Sequence, residues 1–296
     1  RHHPGAFYVG ILNSQPMGFY SPSQLIQDAQ RHGIHIEPLD INQSLWDHQL
    51  VATDYRQQPN TIRLGLRLVK GLSEATATRI VDSRRQHGPF KALNELRQRA
   101  AIPANELQAL SSADALSTIS GHRHQTQWQV LGLPEHRPLL ARLDNAENYQ
   151  SPNIEPPSVA ENVLADYQST GLTLRDHPLS LLRKEWPFKR CSTHRELLAA
   201  SSQRFVRIAG LVTCKQRPGT ASGVIFLTLE DETGNHNVVV WPKLQERCRQ
   251  ALMNARLLVV KGTLERKDNV SHIIAGDLED YTHVLASLSI KARAYR

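Results

Sequence analysis

Alternation of apolar and polar positions is clearest from Arg204 onward. Phe205-Val206-Arg207-Ile208-Ala209-Gly210-Leu211-Val212 alternates as a half-buried strand does, and Val224-Ile225-Phe226-Leu227-Thr228-Leu229 repeats the pattern. A turn, Glu230-Asp231-Glu232-Thr233-Gly234, reads as a solvated connection into a third strand, Val238-Val239-Val240-Trp241. A helix beginning at Pro242 precedes two more strands, Leu257-Leu258-Val259-Val260-Lys261-Gly262 and Ser271-His272-Ile273-Ile274-Ala275. Three strands, one helix and two strands is the order of a five-stranded OB-fold barrel, so 204–285 is read as one.

Upstream, the period is helical and interrupted. Residues 1–55 open with Pro-punctuated loops around Gln15-Pro16-Met17-Gly18. A helix follows, with Ser21 as N-cap, Pro22 in its first turn, apolar Leu25, Ile26 and Ala29, and Gly33 as its stop. Ile34-His35-Ile36 alternates as a short strand. Residues 56–130 read as short helices with Gly and Pro breaks, and 131–160 as a Pro-rich linker. The segment 161–203 is helical, with helices predicted over 159–168 and 178–186, and 286–296 is a basic tail. The fold class is α+β: helices first, then the barrel.

Composition narrows the function. At 296 residues there is room for about two domains. Cys191, Cys214 and Cys248 are not in C-x-x-C spacing, which excludes a disulfide scaffold or zinc ribbon and suits a reducing cytoplasm. No apolar run approaches the roughly 18 residues of a membrane span, so no membrane partner is expected. Arg1 in place of an initiator Met leads us to expect a cut inside something longer. The net charge of +7 points to an anionic partner. Most of it lies in 56–130, where 11 Lys and Arg face 5 Asp and Glu.

Within that basic segment, Leu66 to Val81 has the form of a helix–hairpin–helix. A helix ends at Gly71, Leu72 tucks inward and Ser73 caps the next helix, a turn that aims backbone N–H groups at a phosphate. Lys70, Gly71, Ser73, Arg79, Arg84 and Arg85 are the candidate duplex contacts, weighed against a plain helical turn. A second hairpin between Leu96 and Leu116, with Leu107, Leu110 and Leu116 inward, is read as packing. On the barrel, Arg207, Lys215, Arg217, Phe226, Trp241 and Lys243 are candidates for single strands, because such surfaces combine cations with stacking platforms. Phe226 and Trp241 are equally good core residues at this stage. No phosphate-binding loop, nucleophile elbow or metal-ligand set is found. No catalytic residue, metal site or cofactor is therefore expected in this chain.

Several blocks together resemble the C-terminal portion of bacterial C-family DNA polymerases, in the error-prone branch. Asn13-Ser14-Gln15-Pro16-Met17-Gly18-Phe19-Tyr20 and Asp28-Ala29-Gln30-Arg31-His32-Gly33 are similar to that family's fingers region. Leu64 to Leu72 and Gly88-Pro89-Phe90 are similar to its hairpin segment. Asp166-Tyr167, Thr170-Gly171-Leu172 and His177-Pro178-Leu179 are similar to its pre-barrel block. Gln216 to Thr220, Gly223 to Phe226, Leu229 to Gly234 and Val239 to Pro242 are similar to its OB domain.

The resemblance implies that 1–55 is the distal part of the fingers and that the chain takes part in translesion synthesis and DNA repair. The palm with its catalytic aspartates and Mg2+ would lie before Arg1, so this chain alone would be inactive. Implied partners are duplex and single-stranded DNA, the rest of the polymerase chain, a Y-family-like accessory polymerase, a recombinase-like accessory protein and the sliding clamp. The stretch 131–143 lacks the aromatic of the family's clamp motif. A stand-alone DNA-binding accessory protein and the RNA-binding OB domain of an aminoacyl-tRNA synthetase remain as alternatives.

Overall fold

The computed structural model describes residues 3–17, 20–51, 61–133, 152, 154–219, 223–267 and 270–285. Gly18 and Phe19, most of the Pro-rich linker, Thr220 to Ser222 and the basic tail lie outside the described residues. The chain divides into two compact units, one made of 1–158 with 165–174 and the other of 159–164 with 175–296. The first holds the fingers-like block and both hairpins, and the second holds the barrel. The stretches predicted as 1–55 and 56–130 thus share one unit, and the pre-barrel segment is divided between the two.

The first unit begins with helix α1 (Pro4–Asn13), where loops were expected. Apolar residues lie nearly all round it, so no amphipathic stripe marks it, although Tyr8 and Leu12 reach the core. Helix α2 (Pro22–Arg31) starts as predicted. Ser21 and Gln24 form a reciprocal capping box, and Leu25, Ile26 and Ala29 are buried. Three short strands, β1 (His35–Glu37), β2 (Gln49–Val51) and β3 (Thr61–Arg63), make a small sheet in the order β1-β3-β2, with β1 parallel to β3.

A single 3-10 turn at Leu66–Leu68, rather than an α-helix, leads to Gly71. Gly71 has φ +87°, a conformation glycine adopts without strain. Helices α3 (Glu74–His87), α4 (Leu93–Ala100), α5 (Ala104–Ser112), α6 (Ser117–Ser120) and α7 (Arg123–Leu131) follow. One core joins the α1–α2 block, the small sheet and these helices through Ile26, Ile62, Leu66, Ile80, Leu96 and Leu110. Burial of each such side chain stabilises by about 1.5–3 kcal/mol.

Helix α8 (Val159–Ser169) contributes to both units. In the second unit, α9 (Pro178–Leu182) is shorter than predicted and gives way to a 3-10 turn at Phe188–Arg190. Helix α10 (His194–Ala199) precedes the barrel strands β4 (Arg204–Gln216), β5 (Ile225–Glu230) and β6 (Asn235–Val240). Two short helices, α11 (Pro242–Arg247) and α12 (Arg249–Asn254), replace the single predicted one and meet at Cys248. Strands β7 (Leu257–Lys267) and β8 (Val270–Asp280) close the barrel in the order β4-β5-β6-β8-β7. At Gly262 the backbones approach so closely that a Cβ would lie 2.3 Å from the Ile274 carbonyl oxygen.

Candidate nucleic-acid interface

The hairpin side chains singled out in the sequence are mostly engaged within their own unit. Lys70 Nζ donates to the carbonyls of Tyr167 (3.1 Å) and Gln168 (2.9 Å), at the C-terminal end of α8. Arg79 reaches the Ala100 carbonyl through Nε (3.0 Å), at the turn of the second hairpin. Arg84 donates to the carbonyls of Ile41 (2.8 Å) and Gln43 (3.3 Å), and burial pulls its pKa down from the ordinary guanidinium value. Arg85 lies 3.8 Å from Asp82 on the helix surface. Carbonyls carry no compensating charge, so these contacts spend donors of Lys70, Arg79 and Arg84 without pairing them to an anion. A positive field persists, but the side chains act as braces.

Ser73 has a partner that the sequence did not reveal. It caps α3 by accepting from Thr76 N (3.2 Å). Its backbone N–H donates to Glu106 Oε2 (3.3 Å), and its hydroxyl lies 3.1 Å from Glu106 Oε1. A carboxylate from α5 therefore holds the position at which the hairpin turn would present donors to a phosphate. Its separation of 33 residues from Ser73 hid it from local pattern. Arg79 reaching one turn and Glu106 the other cross-link the two hairpins.

The barrel candidates are arranged differently. Phe226 is 37% exposed and Trp241 is 51% exposed, so both stand out of the core. On β5, Phe226 lies between the buried Ile225 and Leu227 and pairs with Gln216 and Val239. Trp241 follows β6 two residues after Val239, which puts it on the same side by strand alternation. Arg217 and Lys243 are exposed and make no hydrogen bond or ion pair among the described residues. Lys215 instead binds the Leu252 carbonyl (2.9 Å) at the end of α12. Arg207 lies elsewhere on the barrel, opposite Lys261 of β7. The six candidates therefore do not form one surface. Arg207 is nine residues along β4 from Gln216, about 30 Å of strand.

The Glu230-Asp231-Glu232 turn departs from the solvated connection expected of it. Glu230 and Asp231 are buried. Asp231 accepts hydrogen bonds from the backbone N–H of Thr233 (2.7 Å), Gly234 (2.8 Å) and His194 (2.7 Å), and pairs with His236 Nε2 at 2.9 Å. Burial pushes its pKa up, but the His236 and Thr233 bonds outweigh that and hold it well below the usual carboxylate range. Arg183 adds a fork onto Glu232, 2.5 Å through Nε and 3.0 Å through Nη2. This polar knot is the barrel's structural clasp. Among the described residues, no group of three or more His, Cys, Asp or Glu is placed to hold a metal ion.

Residues 33–126 match the helix-hairpin-helix motif, and residues 206–281 match the OB-fold nucleic acid binding domain. Among curated proteins, the chain is 52% identical over 297 residues to the error-prone DNA polymerase of Saccharophagus degradans, covering 99% of this chain and 28% of that protein. It is 47% identical over 302 residues to the error-prone DNA polymerase of Teredinibacter turnerae, covering 99% of this chain and 29% of that protein. The chain spans under a third of the length of these relatives. Among solved structures, asparaginyl-tRNA synthetase from Pyrococcus horikoshii is 26% identical over 27% of this chain and 20% of that one, with a TM-score of 0.24.

Proposed function

Since the chain belongs to the error-prone DNA polymerase family and matches the C-terminal portion of its members, we propose that it is the DNA-holding part of such an enzyme. In this reading the hairpin unit grips primer–template duplex through phosphates without reading sequence, and the barrel guides unpaired template. The observation that carries it is the pair Phe226 and Trp241, held out of an apolar barrel beside Arg217 and Lys243. An indole or phenyl ring in water gains by stacking on a base, and every base offers a face. The cations Lys70, Arg79, Arg84 and Arg85, on the hairpin that turns at Gly71 and Ser73, suit the duplex.

Translesion synthesis and repair in the cytoplasm belong to the same reading. So do contacts with the rest of the polymerase chain, a Y-family-like accessory polymerase, a recombinase-like accessory protein and the sliding clamp.

Fluorescence anisotropy of a labelled primer–template with a single-stranded overhang, measured against salt, tests the proposal. Log affinity should fall with log salt by about 0.9 per phosphate neutralised. The F226A/W241A variant should lose at least tenfold in single-strand affinity, since each stacked base contributes about 1–3 kcal/mol, and should keep its duplex affinity. A flat salt response removes the duplex part, and an unaffected F226A/W241A removes the barrel part. Tighter binding of tRNA than of primer–template would favour the synthetase alternative.

A further inference from the structure

A second group of aromatic and cationic side chains lies on the outer side of β4, away from Phe226. Trp186 is 56% exposed, with the guanidinium carbon of Arg190 at 4.7 Å and that of Arg207 at 5.7 Å from its ring centroid. Phe205 is 68% exposed and shares Arg207's side of the strand, because Val206 and Ile208 turn into the core. The group is fixed to the barrel. Ser192 N–H donates to the Arg207 carbonyl (2.7 Å), and Ser192 forms a parallel bridge with Ile208. Beyond Arg207, the ammonium of Lys261 is taken up by Asp277 and Glu279, which bounds the patch on that side. Neither Arg190 nor Arg207 has a carboxylate within ion-pair distance among the described residues.

We propose that Trp186, Arg190, Arg207 and Phe205 form a second site for single-stranded DNA, where unpaired bases stack on the indole and guanidinium planes. Two guanidiniums without carboxylate partners favour a polyanion. Planar groups open to solvent favour unpaired bases over a duplex, whose bases are stacked on one another. About 30 Å of β4 separates Arg207 from the strand position facing Phe226, so the two platforms are distinct places on one barrel. This inference rests on the single-strand reading of the barrel given above.

The test uses the 296-residue chain with labelled oligothymidylate and labelled blunt duplex as probes. W186A should lose about tenfold in oligothymidylate affinity, retain its duplex affinity, and weaken binding further when added to F226A/W241A. W186F should bind like the parent protein while losing part of the tryptophan quenching that accompanies binding. If W186A lowers the melting temperature, R190A carries the test, with a loss of threefold or more expected and no loss overturning the proposal. A normally folded W186A within twofold of the parent also overturns it, and a simultaneous loss of self-association would assign the patch to a second copy of the chain. If F226A/W241A is weakened while W186A is silent, only the second site falls. If both are silent, the barrel reading falls with it.

Discussion

In the hairpin unit, Lys70, Arg79 and Arg84 end on backbone carbonyls, and Ser73 is held by Glu106. In the barrel unit, Arg217, Lys243, Phe226 and Trp241 stand in solvent, while the charges that brace the fold are concentrated around Asp231. The first arrangement preorganises a rigid positive field that acts at a distance. The second keeps its binding groups separate from its braces. Net charge therefore says little about contact: among the described candidates, those in the segment with most of the excess have the fewer uncommitted donors. Each unit should therefore fail in its own way when its braces are cut.

The largest effect is expected at Asp231. Removing a buried carboxylate that holds three backbone N–H groups and His236 should cost about 3–5 kcal/mol, so D231A should lower the barrel's urea midpoint steeply. Hydrogen exchange of barrel amides during the titration reads this loss, while the hairpin amides should be unaffected. The acid response follows from the depressed pKa. An unfolded chain binds the proton near the ordinary value of 3.8, whereas the folded carboxylate resists it. This stability is fully present above about pH 4 and is lost as pH falls through the folded value. D231N should be less stable at neutral pH and should show a shallower loss in acid.

The hairpin unit should weaken in a different window, through His48. Burial, and then the nearby Arg67 guanidinium, push the His48 pKa down from 6.5 to about 4. Its Nδ1 accepts the Gly65 N–H at 3.2 Å, so the neutral ring is the folded form. Above pH 6.5 both states are neutral and stability is full. Between there and about 4 the unfolded chain takes a proton that the folded chain refuses, a loss of about 3 kcal/mol. Urea melts of a W186F/W241F variant, which leaves Trp46 and Trp128 as reporters in the hairpin unit, should show it, and adding H48Q should flatten it. Acid loss confined below pH 4 in both units would erase this difference.

How much of this was legible varies with the range of the interaction. Phe226 read equally well as core or surface until the folded barrel set it outward between Ile225 and Leu227, whereas the order of barrel elements needed only local period. The cap at Ser21 and the turn at Gly71 were readable for the same reason. Glu106 on Ser73, Arg79 on Ala100 and the parallel pairing of His35 with Thr61 join distant residues, and no local pattern encodes them. Asp231 shows a further limit. Three consecutive acids look solvated, and only the returning His194 and His236 make burial tolerable. Trp186 sat among Lys184, Lys189 and Arg190, a mixture of aromatic and basic residues that could have marked it.

The smallest expected effect bears most directly on whether the hairpin grips DNA. Glu106 presents an anion to Ser73's N–H and hydroxyl, where the turn would offer donors to a backbone phosphate. A bound phosphate must displace that carboxylate or sit beside it against its repulsion. E106Q keeps the shape, removes the charge and loses about 1 kcal/mol or less of stability. Duplex affinity should then rise several-fold, and the salt slope should steepen by up to about 0.9, the signature of one more phosphate neutralised. Single-strand affinity, which depends on the barrel's rings, should not change. If E106Q instead weakens duplex binding at an unchanged melting temperature, the carboxylate is shaping the turn for DNA. The hairpin unit would then bind through its braces, and its contrast with the barrel would be one of geometry alone.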